Sequence, residues 1–169
     1  GCRAVGIAGS DEKCKWLTEV AGFDAAINYK KEDVGAALDK HCPDGIDINF
    51  ENVGGEIMDT ILTKLNDFAR MPLCGLISSY NATEPVPGPY NFSLLLMRHV
   101  TLKGFLVTDY AKRMPEGREA MAEWLKAGKI KYETDVVKGL ENAPGSLERL
   151  FTGKNLGKLV VEVSPPPAV

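Results

Sequence analysis

Gly45-Ile46-Asp47-Ile48-Asn49-Phe50-Glu51-Asn52-Val53-Gly54-Gly55 begins as a short alternating run, which predicts a strand, and stops at a polar residue and a glycine pair. Helical spacing follows at once. Between Glu56 and Leu65 the apolar residues Ile57, Met58, Ile61, Leu62 and Leu65 share one side of a helix. A buried strand feeding a helix through a glycine corner is half of a β-α-β unit, and open α/β sheets bind ligands at the carboxyl ends of such strands. A glycine pair also makes ordinary tight turns, so the stretch by itself argues fold rather than function.

Upstream of it, Cys2 to Ala8 reads as a strand ended by Gly9 and Ser10. Ser10 is a good N-cap, and Asp11 and Glu12 sit favourably in the first turn of the helix it opens. That helix runs to about Ala21, with Cys14, Leu17, Val20 and Ala21 on its buried side and Gly22 closing it. Phe23 to Asn28 is a second strand. Lys31 to His41 is a helix, apolar at Val34, Ala37 and Leu38, with His41 as a partly buried histidine at its end. Pro43 to Gly45 then turns the chain into the opening stretch.

Downstream, Phe68 to Ser78 reads as a strand in which Pro72 is tolerable only near the start or at an irregularity. Ser79 to Pro89 carries prolines at 85, 87 and 89, which stiffen it toward an extended shape. Such a loop is either an active-site cover or a surface spacer. Asn91 to Arg98 makes a helical turn or two, and Val100 to Val107 a strand. Glu116 to Gly128 is a helix burying Met121, Trp124 and Leu125. Tyr132 to Val137 is a strand, and Asn142 to Phe151 a helix with Leu147, Leu150 and Phe151 inward. A polar loop, Thr152 to Lys158, leads to a last strand, Leu159 to Val163, and Ser164 to Val169 is a Pro-rich, flexible tail.

The chain has 169 residues, the length of one ordinary domain and enough to bury roughly 70% of its extended surface. Twenty Lys and Arg against 23 acids give a net charge of -3, no reason to expect nucleic acid or an anionic membrane as partner. No run approaches the about 18 apolar residues of a membrane span, and no signal peptide is visible. Cys2, Cys14, Cys42 and Cys74 form no CxxC pair and read as buried free thiols in a reducing, cytoplasmic setting. His41 and His99 are the only histidines, and no zinc site is expected, since nothing stands at metal-ligand spacing.

Strands and helices alternate from residue 3 to 78, which predicts a Rossmann-like, doubly wound, mostly parallel α/β sheet with helices on both faces. A nucleotide-binding version should carry G-x-G-x-x-G after its first strand. Val5-Gly6-Ile7-Ala8-Gly9 lies inside a strand and Gly153-Lys-Asn-Leu-Gly157 has the wrong spacing, so neither is that loop. The first strand present behaves instead like strand two. Its end, Ala8-Gly9-Ser10, lacks the acid that holds the ribose hydroxyls of NAD. Lys13 follows in the first helical turn, where a cation opposes the helix dipole. Two readings of Lys13 stand side by side: a solvated surface lysine, or a contact to the 2′-phosphate of NADP.

Several blocks then line up with one family. Cys2-Arg-Ala-Val-Gly-Ile-Ala-Gly-Ser-Asp-Glu-Lys13, Gly22-Phe-Asp24, Asn28-Tyr29, Phe50-Glu-Asn-Val-Gly-Gly55, Cys74-Gly-Leu-Ile-Ser-Ser-Tyr-Asn81 and Asn155-Leu-Gly-Lys-Leu-Val160 resemble the zinc-independent leukotriene B4 12-hydroxydehydrogenase/prostaglandin reductase group of the medium-chain dehydrogenases, including its bacterial curcumin reductases. The resemblance covers nearly all of residues 1 to 163. It implies NADP(H) as cofactor, with contacts from Gly9, Ser10 and Lys13, the last on the 2′-phosphate. It further implies Tyr29 along the adenosine, Asn52 at the nicotinamide ribose, Phe105 and Val107 of Gly104-Phe-Leu-Val-Thr108 near the nicotinamide, and Asn155 reaching in from the C-terminal loop. Tyr80 is the implied active-site tyrosine, beside the substrate oxygen. The implied reaction is hydride transfer from NADPH to the β-carbon of a small-molecule enone or enal, saturating its C=C bond, in a homodimer.

The resemblance also implies a catalytic domain, a first Rossmann strand and a glycine-rich turn ahead of residue 1. On that expectation residues 1–150 are a partial NADP-binding domain lacking its central strand, and 151–163 return toward the catalytic domain. In the 3-2-1-4-5-6 order the missing strand would separate strands two and three from four, five and six. The gap would be closed by direct pairing of strands two and four, or by another chain. Two other readings stay open. One is an NADPH quinone oxidoreductase of the same superfamily, against which Ile77-Ser-Ser-Tyr-Asn81 weighs; the other is a non-catalytic α/β scaffold or interaction module.

Overall fold

A computed structural model of the protein describes residues 1–164, so the tail is outside the described residues from 165 onward. Its first half alternates strand and helix: β1 (Val5–Ala8), α1 (Asp11–Glu19), β2 (Ala25–Asn28), α2 (Val34–His41), β3 (Ile46–Ile48), α3 (Gly55–Leu62) and β4 (Leu65–Leu73). Then come α4 (Ser93–Met97), β5 (Thr101–Gly104), α5 (Met114–Lys126), β6 (Thr134–Lys138), α6 (Ala143–Thr152) and β7 (Lys158–Glu162). No described helix is long and apolar enough to cross a membrane.

Every strand pairing is parallel, as the alternation of strands with helices requires. Among the described residues the strands form three separate sheets, β1-β2, β3-β4-β5 and β6-β7. The break between β1-β2 and β3-β4-β5 falls where a central strand was expected to be missing. The pairing of β1 with β3 that could have closed the gap does not form. A shared core holds the two sheets instead. Ile27, Ala37, Leu38, Ile61, Leu62, Leu65, Ala69 and Met71 are buried together, and Val5, Ile7 and Ile46 of the two facing strands pack against them.

Local signals set the helix starts. Ser10 caps α1, its side chain accepting from Lys13 N at 3.2 Å, and Asp33 caps α2 by accepting from Ala36 N at 2.7 Å. The second cap starts α2 at Val34 rather than Lys31. Leu65, expected on α3, is the first residue of β4 and almost fully buried. β4 therefore begins earlier than expected and ends at Leu73 rather than Ser78. Its irregularity is not at Pro72. Two residues of β3, Ile46 and Ile48, oppose Leu65 and Arg70, so extra residues of β4 bulge out between them. Phe68 sits in that bulge at φ 62, stacked on His99 with ring centroids 4.9 Å apart. Pro72 lies further on, within the central strand of its sheet, and its carbonyl still accepts from Glu51 N at 2.9 Å.

Burial of three helices departs from their periodicity. The faces of α5 and α6 marked by Met121, Trp124, Leu125, Leu147, Leu150 and Phe151 are exposed, and α1 has no fully buried residue. The apolar stripes are present, but no described element covers those of α5 and α6. His41 is part-buried at the end of α2, as expected.

Candidate functional site

The carboxyl end of β1 meets the start of β2's following turn. Ala8 pairs with Asn28, and Tyr29 N donates to the Ala8 carbonyl at 3.1 Å. This lays the Tyr29 ring over Gly9, so closely that a β-carbon there would lie 3.0 Å from the phenol oxygen. Asp11, in the first turn of α1, bonds the Lys31 ammonium and, at 2.6 Å, the Asn28 carboxamide. Those bonds, with Lys31 first, hold the Asp11 carboxyl below its usual range. Asp11 is thus engaged with Lys31 and leaves Lys13 unpaired with it. Lys13 Nζ instead donates to the Gly153 carbonyl at 2.8 Å. Lys13 and Asn155 line one cleft of about 280 Å³, together with Ala8 and Trp16. Lys30, the residue after Tyr29, holds its ammonium 5.9 Å from the Tyr29 ring centroid.

A second cluster forms where β3 and β4 end. A bridge between Glu51 and Leu73 continues the ladder beyond Ile48, and Cys74 N donates to the Glu51 carbonyl at 2.8 Å. The chain then recrosses the opening stretch: Ile77 N donates to Asn52 O at 3.2 Å and Ser78 N to Val53 O at 2.9 Å. Tyr80 follows a short 3₁₀ turn, Ile77–Ser79, and its hydroxyl oxygen accepts from Leu76 N at 3.3 Å. Asn52 and Tyr80 are both directed at Gly75. Gly75, Tyr80, Cys74 and Phe105 line a cleft of about 440 Å³. Phe105 is wedged edge-on between Phe50 and Tyr110, at centroid distances of 6.2 and 6.0 Å.

Gly9, Ser10, Lys13, Tyr29 and Asn155 therefore gather at one strand end, and Asn52, Tyr80 and Phe105 at another. Val107 joins neither. The expected strand stops at Gly104, Val107 opens a 3₁₀ segment, and its side chain is exposed outside both clefts. Of the Ser79–Pro89 loop, Tyr80 lines the larger cleft, while its prolines 85, 87 and 89 line neither. The cysteines are free, but only Cys14 and Cys42 are part-buried, and burial pushes both thiols up; Cys2 and Cys74 are exposed. Among the described residues no three His, Cys, Asp or Glu side chains are grouped to hold a metal ion.

Two residues of the second cluster had no assigned role in the sequence. Glu51 is buried, its carboxylate accepting from Val53 N and Gly54 N at 2.7 Å each and from Asn49 Nδ2 at 2.9 Å. The signal for it is an acid just before a helix N-terminus, where a carboxylate is favoured. Gly75 has no local signal, because its neighbours come from other segments.

Residues 1–126 match the family described as zinc-binding dehydrogenase. The NADPH-dependent curcumin reductase of Escherichia coli (strain K12) is 47% identical over 169 residues, which cover 97% of this chain and 49% of that protein. The 2-alkenal reductase (NADP(+)-dependent) of Nicotiana tabacum is 47% identical over 165 residues, 97% of this chain and 48% of its own length. The crystal structure of CurA in complex with NADPH from Vibrio vulnificus superposes with a TM-score of 0.91 at 46% identity, covering 98% of this chain and 51% of that one. The chain spans about half the length of the curated relatives it matches.

Proposed function

This chain belongs to the zinc-binding dehydrogenase family, and we propose that it carries the NADPH-binding part of an oxidoreductase that saturates the C=C bond of α,β-unsaturated ketones and aldehydes. The names of the relatives at 47% identity support the cofactor and the substrate class. The division into a cofactor-binding region, 1–150, and a segment, 151–163, leading toward a catalytic domain belongs to the same reading.

The residues at the end of β1 fit a phosphorylated adenosine. Lys13 uses one ammonium proton on Gly153 O, which leaves two donors for an anion. The Ser10 hydroxyl serves as an acceptor in its cap and keeps its own proton to donate. Tyr29 offers a half-exposed ring beside Gly9. Asn155 lines the same cleft as Lys13. Asn52 and Phe105 would hold the nicotinamide end. When bound, NADPH supplies the hydride.

The observation that carries the substrate reading is the hydrogen bond from Leu76 N to the Tyr80 hydroxyl oxygen at 3.3 Å, on the wall of the larger cleft. With that oxygen already accepting, the phenolic proton points elsewhere and is free to donate. Reduction at the β-carbon moves negative charge onto the carbonyl oxygen of the substrate. A neutral donor held against that oxygen stabilises the charge as it develops. A phenol held against that oxygen can donate a hydrogen bond to it without giving up its proton.

The test is NADPH oxidation by the full-length protein with a simple enone, with Tyr80→Phe alongside. Loss of one such donor should lower kcat by about 10²–10³-fold with little change in KM for NADPH. An unchanged kcat would remove Tyr80 from the chemistry. No NADPH oxidation with any enone or enal would sink the reading as a whole.

A further inference from the structure

We infer that Gly75 is a positioning residue that sets the Asn52 carboxamide and the Tyr80 phenol against one point of the larger cleft; this rests on the reading above, in which those two groups face cofactor and substrate. Gly75 is not among the glycines with positive φ, so its backbone is one that alanine adopts. What it supplies is space. A β-carbon built on it would lie 2.5 Å from Asn52 Oδ1 and 3.0 Å from the Tyr80 hydroxyl oxygen, followed by Asn52 Cγ at 3.5 Å. The nearest atoms to the vacant position are thus the polar ends of the two side chains assigned to the reaction.

Neither partner can yield by moving its backbone. Asn52 O is held by Ile77 N, and Gly75 N donates to Glu51 O at 3.3 Å, across the ladder that the Glu51–Leu73 bridge sets in register. Tyr80 is tied by its own N–H to Ile77 O at 3.3 Å and by its hydroxyl to Leu76 N. A methyl group at 75 must therefore turn the Asn52 carboxamide away and crowd the phenol, whose bond from Leu76 N is already 3.3 Å long. Displacements of about 1 Å at positioned groups are enough to cost about 10²-fold in rate. A single methyl would disturb both ends of the reaction while leaving the fold in place.

The experiment is a set of mutant cycles in the full-length protein: Gly75→Ala, Asn52→Ala and Tyr80→Phe, singly and in the two pairs with Gly75→Ala. NADPH affinity is read by fluorescence titration, kcat and KM by enone reduction, and folding by the thermal midpoint of the cofactor-free protein. Gly75→Ala should lower kcat by about tenfold or more, weaken NADPH binding, and leave the midpoint within a few degrees of the parent. In the Asn52→Ala background its effect on NADPH binding should vanish, because the nearest atom it displaces is gone; in the Tyr80→Phe background its effect on kcat should shrink. Equal effects of Gly75→Ala in parent and variant backgrounds, or none in the parent, would overturn the inference and leave the proposed function standing. If Asn52→Ala and Tyr80→Phe themselves change neither binding nor kcat while the parent reduces the enone, the roles given to those two residues fall and this inference with them, the proposed reaction being tested separately by NADPH oxidation.

Discussion

At the scale of single residues, Glu51 shows how a carboxylate can serve a corner rather than a substrate. It is 3% exposed and its oxygens are occupied by three N–H donors, two of them the backbone amides that lead into α3. Negative charge at a helix N-terminus is favourable, and bonds to an ionised acceptor are the stronger kind. Truncation would leave Gly54 N, itself buried, without a partner. Glu51→Ala should therefore destabilise the protein by about 1–3 kcal/mol, and Glu51→Gln, which keeps one acceptor oxygen, by less. The midpoint of urea unfolding at constant slope measures this; an unshifted midpoint in Glu51→Ala would show that water replaces the carboxylate. The Ser10 cap and the place of Lys13 in the first turn were legible in the sequence because both are local. Glu51 was quoted as part of a block and given no role, since an acid at a strand end reads as solvated until residues 74–78 return to cover it.

At the scale of elements, the start of α3 depends on backbone geometry that only one residue type tolerates. Gly54 lies at φ 76 and ψ -160, a region essentially closed to residues with a β-carbon. A β-carbon there would also lie 2.9 Å from Leu76 Cδ2. Gly117, inside α5, has an ordinary helical environment and open space around it. The same substitution should act with opposite sign at the two sites. Gly54→Ala is expected to lose about 1–3 kcal/mol, and Gly117→Ala to gain about 0.5–1 kcal/mol from helix propensity. Thermal or chemical melting of the pair decides it, and loss of equal size at both would contradict the geometric account. The glycine pair was visible in the sequence as a turn; its special φ was not. Leu65 was misassigned for a related reason, since an apolar residue in helical phase can equally begin the next strand.

For the whole molecule, the order of elements was legible and the surfaces that cover them were not. Alternation of strand and helix gave the parallel pairings, and helical spacing gave the apolar stripes of α5 and α6. Which stripe is covered depends on elements distant in sequence, and those two stripes are open. The same holds for the strand edges. Ala4 and Ala8 carbonyls accept from Ala25 and Tyr29 amides of the β2 side, so by the alternation of a parallel ladder Val5 and Ile7 direct their amides to the opposite edge. That edge faces the break between sheets, where β1 and β3 remain unpaired with each other. Ile27 and Met71, by contrast, are fully buried in the shared core. In a protein of residues 1–169, hydrogen exchange should therefore be fast at Val5 and Ile7 through local opening, while Ile27 and Met71 approach the protection of global unfolding. Protection at Val5 and Ile7 equal to that at Met71 would mean that another strand, from a second copy of the chain, occupies the break; an increase of that protection with protein concentration would identify it as such.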